Sequence, residues 1–257
     1  FRSNCRRIGR SYSYLMINAS KIEYEQLIPF IMNNCSDKLN SFWLGKIEYK
    51  LAWYLQKKIH KHVSLNKMNG VNLYLEHEPV YTFGKNADKN HLLPSHPKDA
   101  KVVQIDRGGD ITFHGPGQLV VYPIINLNHF KKSISWYMRS LENVIIQFLS
   151  KYEISSKRID GLTGVWVNEE KICAMGVRLA KWTSMHGFAL NINPEMKYYD
   201  GMIPCGIFEY GVTSLTNVLS KEFKVKEIAR QVDDILRPIL LEEFNYETTW
   251  IYKETTA

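Results

Sequence analysis

Cysteine is scarce: Cys5, Cys35, Cys173 and Cys205 are the only four in 257 residues. That is too few for a disulfide scaffold, and no two of them form a C-x-x-C pair. The eight histidines show neither His-x-x-x-His nor His-Glu-x-x-His spacing, so no metal site is expected. The thiols suit a reducing compartment: cytosol, mitochondrial matrix or plastid. Long apolar runs are missing too. Nothing approaches the roughly 18 residues of a membrane span, which excludes a transmembrane helix. Gly-Lys-[Ser/Thr] and G-x-G-x-x-G are absent, so there is neither a Walker loop nor a dinucleotide loop. Acids are outnumbered, 26 to 33, for a net charge of +7. That excess calls for an acidic partner, and by itself it fits nucleic acid, a membrane surface or a protein.

What is present is 45% apolar residues, enough for a full core, in a length suited to one α/β domain. Residues 1–22 carry Arg2, Arg6, Arg7, Arg10 and Lys21, four serines and no acid before Glu23. This is the composition of an organelle transit segment, and equally of a basic flexible terminus. Residues 23–257 then read as a single domain. Ile47, Leu51, Tyr54, Leu55 and Ile59 keep helical spacing. Val71–His77 and Pro79–Gly84 read as strands, 85–100 as an exposed loop, and Val102–Ile105 as a short strand. Leu119–Ile124 is a continuous apolar run, typical of a strand buried on both faces. Ser133 caps a helix with a stripe of Ile134, Tyr137, Leu141, Val144, Ile145, Phe148 and Tyr152. Residues 162–168 and 171–179 form a hairpin closed by Asn168-Glu169-Glu170. Phe188–Ile192 is a strand, and a last helix over 225–237 stops before Pro238.

Three clusters carry chemistry. Arg107 to Gln118 holds four glycines, whose entropy cost implies special torsions or a close approach; a tight interstrand loop would also account for them. Met202-Ile203-Pro204-Cys205-Gly206-Ile207 presents a cysteine between proline and glycine, which suits a nucleophile with an amide donor beside it, although isolated cysteines are commonly core residues. In Glu170–Arg178, Lys171 begins an apolar strand: a solvated edge residue, or a cation able to lower a nearby thiol's pKa. Cys173 has no flanking Gly or Pro and reads as core. Ser184–Asn191 adds a second His-Gly pair.

Taken in order, these segments resemble the lipoyl(octanoyl) transferases. The likeness runs through Glu76-His77-Glu78-Pro79-Val80, Thr82-Phe83-Gly84, Arg107-Gly108-Gly109, Thr112-Phe113-His114-Gly115-Pro116-Gly117-Gln118 and Tyr122-Pro123-Ile124. It continues through Gly164-Val165-Trp166, Lys171-Ile172, Gly176-Val177-Arg178, His186 to Asn191 and Pro204-Cys205-Gly206, covering about residues 40–220. Glu78 departs from the smaller or apolar residue common in that family. The resemblance implies an α/β (α+β) fold like that of biotin- and lipoate-protein ligases, a mixed sheet flanked by helices. It implies transfer of an octanoyl group from octanoyl-acyl carrier protein to a lysine of lipoyl domains, those of 2-oxoacid dehydrogenase E2 subunits or the glycine-cleavage H protein. This is the first step of endogenous lipoate synthesis.

By the same resemblance, Cys205 is the nucleophile that holds the acyl thioester, and Lys171 lowers its pKa. Arg107, Gly108, Gly109, Asp110, Ile111, Thr112, Phe113 and His114 line the acyl pocket together with Ala174, Met175, Gly176, Gly187, Phe188 and Ala189. A thioester donor is already activated, so neither ATP nor another cofactor is implied. The location implied is an organelle (plastid, apicoplast or mitochondrion), or the cytoplasm if residues 1–22 are not a transit segment. An ATP-dependent lipoate- or biotin-protein ligase is the nearest alternative on the same fold. It would not need the Pro-Cys-Gly nucleophile. A nucleic-acid module would interleave its basic residues with exposed aromatics, whereas here they are scattered, and a cysteine protease would carry signatures that are absent.

Overall fold

The structure, a computed structural model, describes residues 15–16, 24–34, 39–68, 70–203 and 210–254. β7 (Gln118–Ile125) is the centre of the molecule, and all eight of its residues are buried. An apolar strand with no polar alternation can only sit between two covered faces, and β7 does. It pairs antiparallel with β3 (Gly70–His77) on one side and β10 (Thr183–Asn191) on the other. The large sheet runs β1 (Leu15–Met16), β2 (Asn40–Ile47), β3, β7, β10, β9 (Glu170–Ala180), β11 (Gly211–Val212), with β8 (Val165–Val167) also paired to β9. Its parallel pairs are β1–β2, β2–β3 and β9–β11, so the sheet is mixed. A small sheet of β5 (Lys101–Gln104), β4 (Val80–Phe83) and β6 (Ile111–His114) stands apart.

One face of the large sheet is covered by α1 (Tyr24–Asn34) and α2 (Tyr49–Ser64), through Leu27, Ile31, Ala52, Leu55, Ile59 and Val63. These pack on Leu73, Leu75, Val120, Tyr122 and Ile124. The other face takes α3 (Ile134–Ser150) and α5 (Val225–Glu254), with Leu141, Val144, Phe148, Val232 and Leu236 against Leu119, Val121, Phe188 and Leu190. α4 (Leu215–Leu219) is a short connector. Ser133 caps α3 by accepting a hydrogen bond from the Trp136 amide. Two antiparallel hairpins follow, β8–β9 across Asn168-Glu169 and β9–β10 across Lys181-Trp182.

Several expectations are corrected. The first long helix begins at Tyr49, because Ile47 belongs to β2, and Tyr54 points outward at 47% exposure. Ile134, counted in the apolar stripe of α3, is 54% exposed at its first turn. The glycine-rich stretch contains β6, and the strand placed at 188–192 begins at Thr183. Residues 85–100 are the expected exposed loop, and it is pinned: Leu92 bridges to Met202 and the Leu93 amide donates to Gly201. The last helix does not stop before Pro238; it continues to Glu254. Ile235, Leu236 and Leu240 keep one buried stripe across the proline, and that burial outweighs a penalty of about 3 kcal/mol. The segment 1–22 is not wholly outside the fold either. Leu15 and Met16 pair with Phe42 and Trp43 and cover the edge of β2, and the rest of 1–22 lies outside the described residues.

Candidate active site

A cavity of about 540 Å3 opens along β9 and β10, between the large sheet and the loop that links β5 to β6. Arg107 to Thr112, His114, Ala174 to Gly176 and Gly187 to Ala189 lie on its wall, as does Lys171. Phe113 does not. Its ring stacks on Tyr198 at 4.5 Å in the core beside the small sheet, with Tyr81 and Tyr199.

The Arg107 loop is held by its own guanidinium, which donates to the Thr82 carbonyl (2.8 Å), the Thr82 hydroxyl (3.0 Å) and the Gly108 carbonyl (3.0 Å). Gly109 takes φ +86°, where a side chain would be strained. The Gly108 amide donates to Val177 of β9, fastening the loop to the sheet that forms the opposite wall. Gly187 is required by contact: a Cβ there would lie 2.2 Å from the Val121 carbonyl oxygen. Asp110 faces His91, Oδ2 to Nδ1, at 2.5 Å.

Three buried imidazoles surround the inner wall. His77 donates from Nδ1 to the Ile47 carbonyl (2.8 Å), leaving Nε2 to accept from the Tyr122 hydroxyl (2.7 Å). Burial lowers its pKa to about 4. Tyr122 and Tyr49 hydrogen-bond each other, and burial raises both hydroxyls well above the ordinary range. The amide of Gln118 is oriented by the Phe113 carbonyl, to which Nε2 donates, so its Oε1 accepts from Nδ1–H of His114 at 2.8 Å. His114 is held neutral by burial first, with the neighbouring His77 adding to it. His186 adopts φ +59°. Its Nε2 donates to Asp106 at 3.1 Å, and Arg178 pairs with the other oxygen of that carboxylate at 3.0 Å. Burial lowers the pKa of His186, and its hydrogen bond in turn lowers that of Asp106.

Around these groups the wall is apolar: Ile111, Val120, Ala174, Met175, Phe188 and Ala189. Such a space accepts a hydrocarbon chain and excludes water. Lys171, at the start of β9, supplies a cation, with Nζ 4.8 Å over the Trp166 ring. No group of three His, Cys, Asp or Glu side chains able to hold a metal occurs among the described residues.

Cys205 lies outside the described residues, together with Pro204 and Gly206. The chain on either side is described. The Ile203 amide donates to the His91 carbonyl at 2.8 Å, and Gly211–Val212 run parallel to Glu170–Lys171. Met202 and Val212 both line the cavity that Lys171 lines. Cys173 is fully buried, with its thiol pKa pushed up by burial, which makes it a core residue and a poor nucleophile. Tyr49, Tyr122, Ile134, Met138 and Gly161 to Thr163 also line the cavity and were not picked out from the sequence. Gly161 and Gly164 bracketing Leu162-Thr163 were a usable signal; Tyr49 gave none, since it sits one residue into an amphipathic helix.

A family model described as the lipoyl protein ligase A/B catalytic domain matches residues 48–237. An octanoyltransferase of Christiangramia forsetii is 42% identical over 225 residues, spanning 79% of this chain and 96% of that one. A chloroplastic octanoyltransferase of Arabidopsis thaliana is 40% identical over 209 residues, 77% of this chain and 74% of its own. Among solved structures, a bipartite lipoate protein ligase from Thermoplasma acidophilum superposes with a TM-score of 0.59 at 10% identity, covering 86% of this chain and 93% of its own. A biotin protein ligase from Aquifex aeolicus gives 0.51 at 17%, covering 79% and 71%. At those identities the likeness concerns the fold, a mixed sheet flanked by helices.

Proposed function

We propose a two-step thioester mechanism for this chain, which belongs to the lipoyl protein ligase A/B catalytic-domain family and is an octanoyltransferase of protein lipoylation. Cys205 is the nucleophile and Lys171 its proton partner. The observation that carries this reading is the bracketing of residues 204–209: Met202 before them and Val212 after them line the cavity of Lys171, and Val212 pairs with Lys171 across the strands.

The Cys205 proton passes to Lys171, and the ammonium favours the thiolate. The thiolate attacks the octanoyl thioester of acyl carrier protein; the C–S bond to the carrier breaks, and the leaving thiolate takes the proton from Lys171. The octanoyl chain now lies against the apolar wall as a Cys205 thioester, and Lys171 is neutral. A neutral lysine of a lipoyl domain attacks next. It forms the amide, passes its proton to Lys171 and releases the Cys205 thiolate. Lys171 serves both half-reactions, and the balance needs neither ATP nor a redox partner. A plastid or mitochondrial location is part of the same reading, supported by the acid-free segment 1–22 and the likeness to a chloroplastic octanoyltransferase. A reporter fused to 1–22 should be imported, and a cytosolic reporter would refute the location.

The test is intact mass and peptide mapping after mixing with octanoyl-acyl carrier protein and no ATP. A hydroxylamine-labile octanoyl adduct on Cys205 that vanishes on adding a lipoyl domain is expected, with none in C205S. Absence of the adduct, with lipoyl-domain modification only from free acid and ATP, would replace this reading by a ligase.

A further inference from the structure

Three segments with no acidic residue meet at one end of the large sheet: 57–67, 126–134 and 177–187. Specific hydrogen bonds bring them together. Asn126 donates to Asn66 (2.8 Å), the Leu127 amide to the Trp182 carbonyl (2.7 Å), and His60 Nε2 lies 3.2 Å from the Thr183 carbonyl. The assembled surface carries Lys57, Lys61, Lys67, Lys131, Lys132 and Lys181, all exposed. The described structure gives none of these six an ion pair, and the Asp106 carboxylate is taken by Arg178 and His186. A positive field of this kind is costly to the fold and useful only to an acidic partner.

At the centre of the patch the β9–β10 hairpin turns through two residues, Lys181 (φ 54°) and Trp182 (φ 60°). A two-residue turn with both φ positive favours Asn-Gly; here it holds a lysine and a tryptophan at strained torsions. Trp182 is 39% exposed. An exposed indole next to Lys181 on a lysine-bearing surface has the make-up of an interface anchor within a steering field.

We propose that this patch docks the acidic acyl-carrier protein that delivers the octanoyl group, an inference that rests on the transferase reading above. Position decides between donor and acceptor. Arg178, at the margin of the patch, is seven residues along β9 from Lys171, about 23 Å at ~3.3 Å per residue. An acceptor lysine must be delivered at Lys171 itself, so its domain docks at that end. A carrier presents its acyl group on a long prosthetic arm and docks remotely. The cavity wall, which includes Lys171, Val177 and His186, links the two ends.

The charge-reversed variant K131E/K132E/K181E is compared with the unmodified chain using three substrates: octanoyl-acyl carrier protein, octanoyl-coenzyme A and a lipoyl domain. The KM for the carrier-borne donor should rise about tenfold or more, and should rise with salt in the unmodified chain, while the other two KM values stay within about twofold. K181N/W182G separates docking from structure: the turn becomes the favoured pair, so Tm should hold or rise while the carrier KM rises about tenfold. An unchanged carrier KM in either variant overturns the proposal. So does a rise confined to the lipoyl domain, or loss only of affinity for a DNA or RNA oligomer. If the unmodified chain transfers octanoyl from neither donor, the transferase reading has failed; calorimetric titration with octanoyl-acyl carrier protein then still tests the surface, which must bind in the unmodified chain and not in the triple variant.

Discussion

Replacing Gln118 with leucine should remove a large share of the stability of the wall. Gln118 is 1% exposed. Its Nε2 lies within hydrogen-bond distance of the Phe113 carbonyl (3.2 Å), Asn191 Oδ1 (2.9 Å) and the Tyr199 hydroxyl (2.8 Å), and its Oε1 accepts from His114 (2.8 Å). Two Nε2 protons are shared among three acceptors, so leucine fills the volume and removes about three hydrogen bonds. At about 1 kcal/mol net for each, with a further desolvation cost for the partners left unpaired, the loss is roughly 4 kcal/mol. For a domain of this size that lowers Tm by about 8–16 °C. Gln104 is the control, since it too makes two side-chain bonds, to the carbonyls of Phe83 and Gly84, but from the exposed outer strand β5. Water replaces what Q104L removes, so it should cost under about 1 kcal/mol. Differential scanning calorimetry of the two variants decides the matter. Equal Tm shifts, or a Q118L shift under about 2 °C, would refute the claim that buried polar satisfaction holds this wall.

Acid should destabilise the fold through His77. Its pKa lies near 4 when folded and 6.5 when unfolded, so between those values the unfolded chain binds more protons. The stabilisation is fully present above pH 6.5 and is lost as pH falls toward 4, about 3 kcal/mol in all. Urea melts across that range should show the slope, and H77Q should flatten it. E142A should cost about 2 kcal/mol, because this buried carboxylate accepts from Arg139 (2.8 Å) and Arg158 (2.7 Å), whose side chains are 50% and 30% exposed and regain water when it is removed. The Gly164 amide bonds to the same side chain, so the loop bearing Gly161 to Thr163 should loosen and KM for the octanoyl donor should rise in steady-state assays. P238A restores a helical amide donor and should stabilise α5 by up to about 3 kcal/mol in chemical denaturation.

The elements best read from sequence are those whose pattern has one solution. Leu119–Ile124 is apolar without alternation, which only a strand covered on both sides accommodates, and Ser133 offers an N-cap before a long stripe. β6 escaped because four residues between glycine turns carry too little periodicity. The continuation of α5 from Pro238 to Glu254 has no local signal that overrides the breaking rule at the proline; what overrides it is the tertiary contact of Leu236 and Leu240 with the sheet. At the cavity, glycine was informative because its use is steric: Gly109 needs its torsion, and Gly187 has no room for a Cβ beneath Val121. The site roles of Tyr49 and Tyr122 were invisible for the opposite reason. Each is an ordinary aromatic in its own element, and only the packing of α2 on β7 turns the two hydroxyls toward each other and toward His77.

That division explains how one fold serves both transferases and ligases. The cavity wall is carried by β7, β9 and β10, whose register is fixed by two antiparallel ladders and whose faces are covered by α2 on one side and by α3 and α5 on the other. Its shape is costly to change, and it suits any enzyme that must hold an aliphatic acyl chain away from water. Lys171 belongs to that rigid part. The step that distinguishes thioester transfer from activation by ATP requires only a nucleophile, and in our reading it comes from the six residues between Ile203 and Tyr210. Their ends are tied to the loop of His91 and, through β11, to the strand of Lys171. Changing Cys205 should therefore abolish acyl-enzyme formation and leave octanoyl binding to the wall nearly intact, measured by calorimetric titration of C205S with octanoate. A C205S protein that has lost both would mean that the connection from 204 to 209 helps to build the pocket, and the separation of rigid wall from exchangeable chemistry would be wrong.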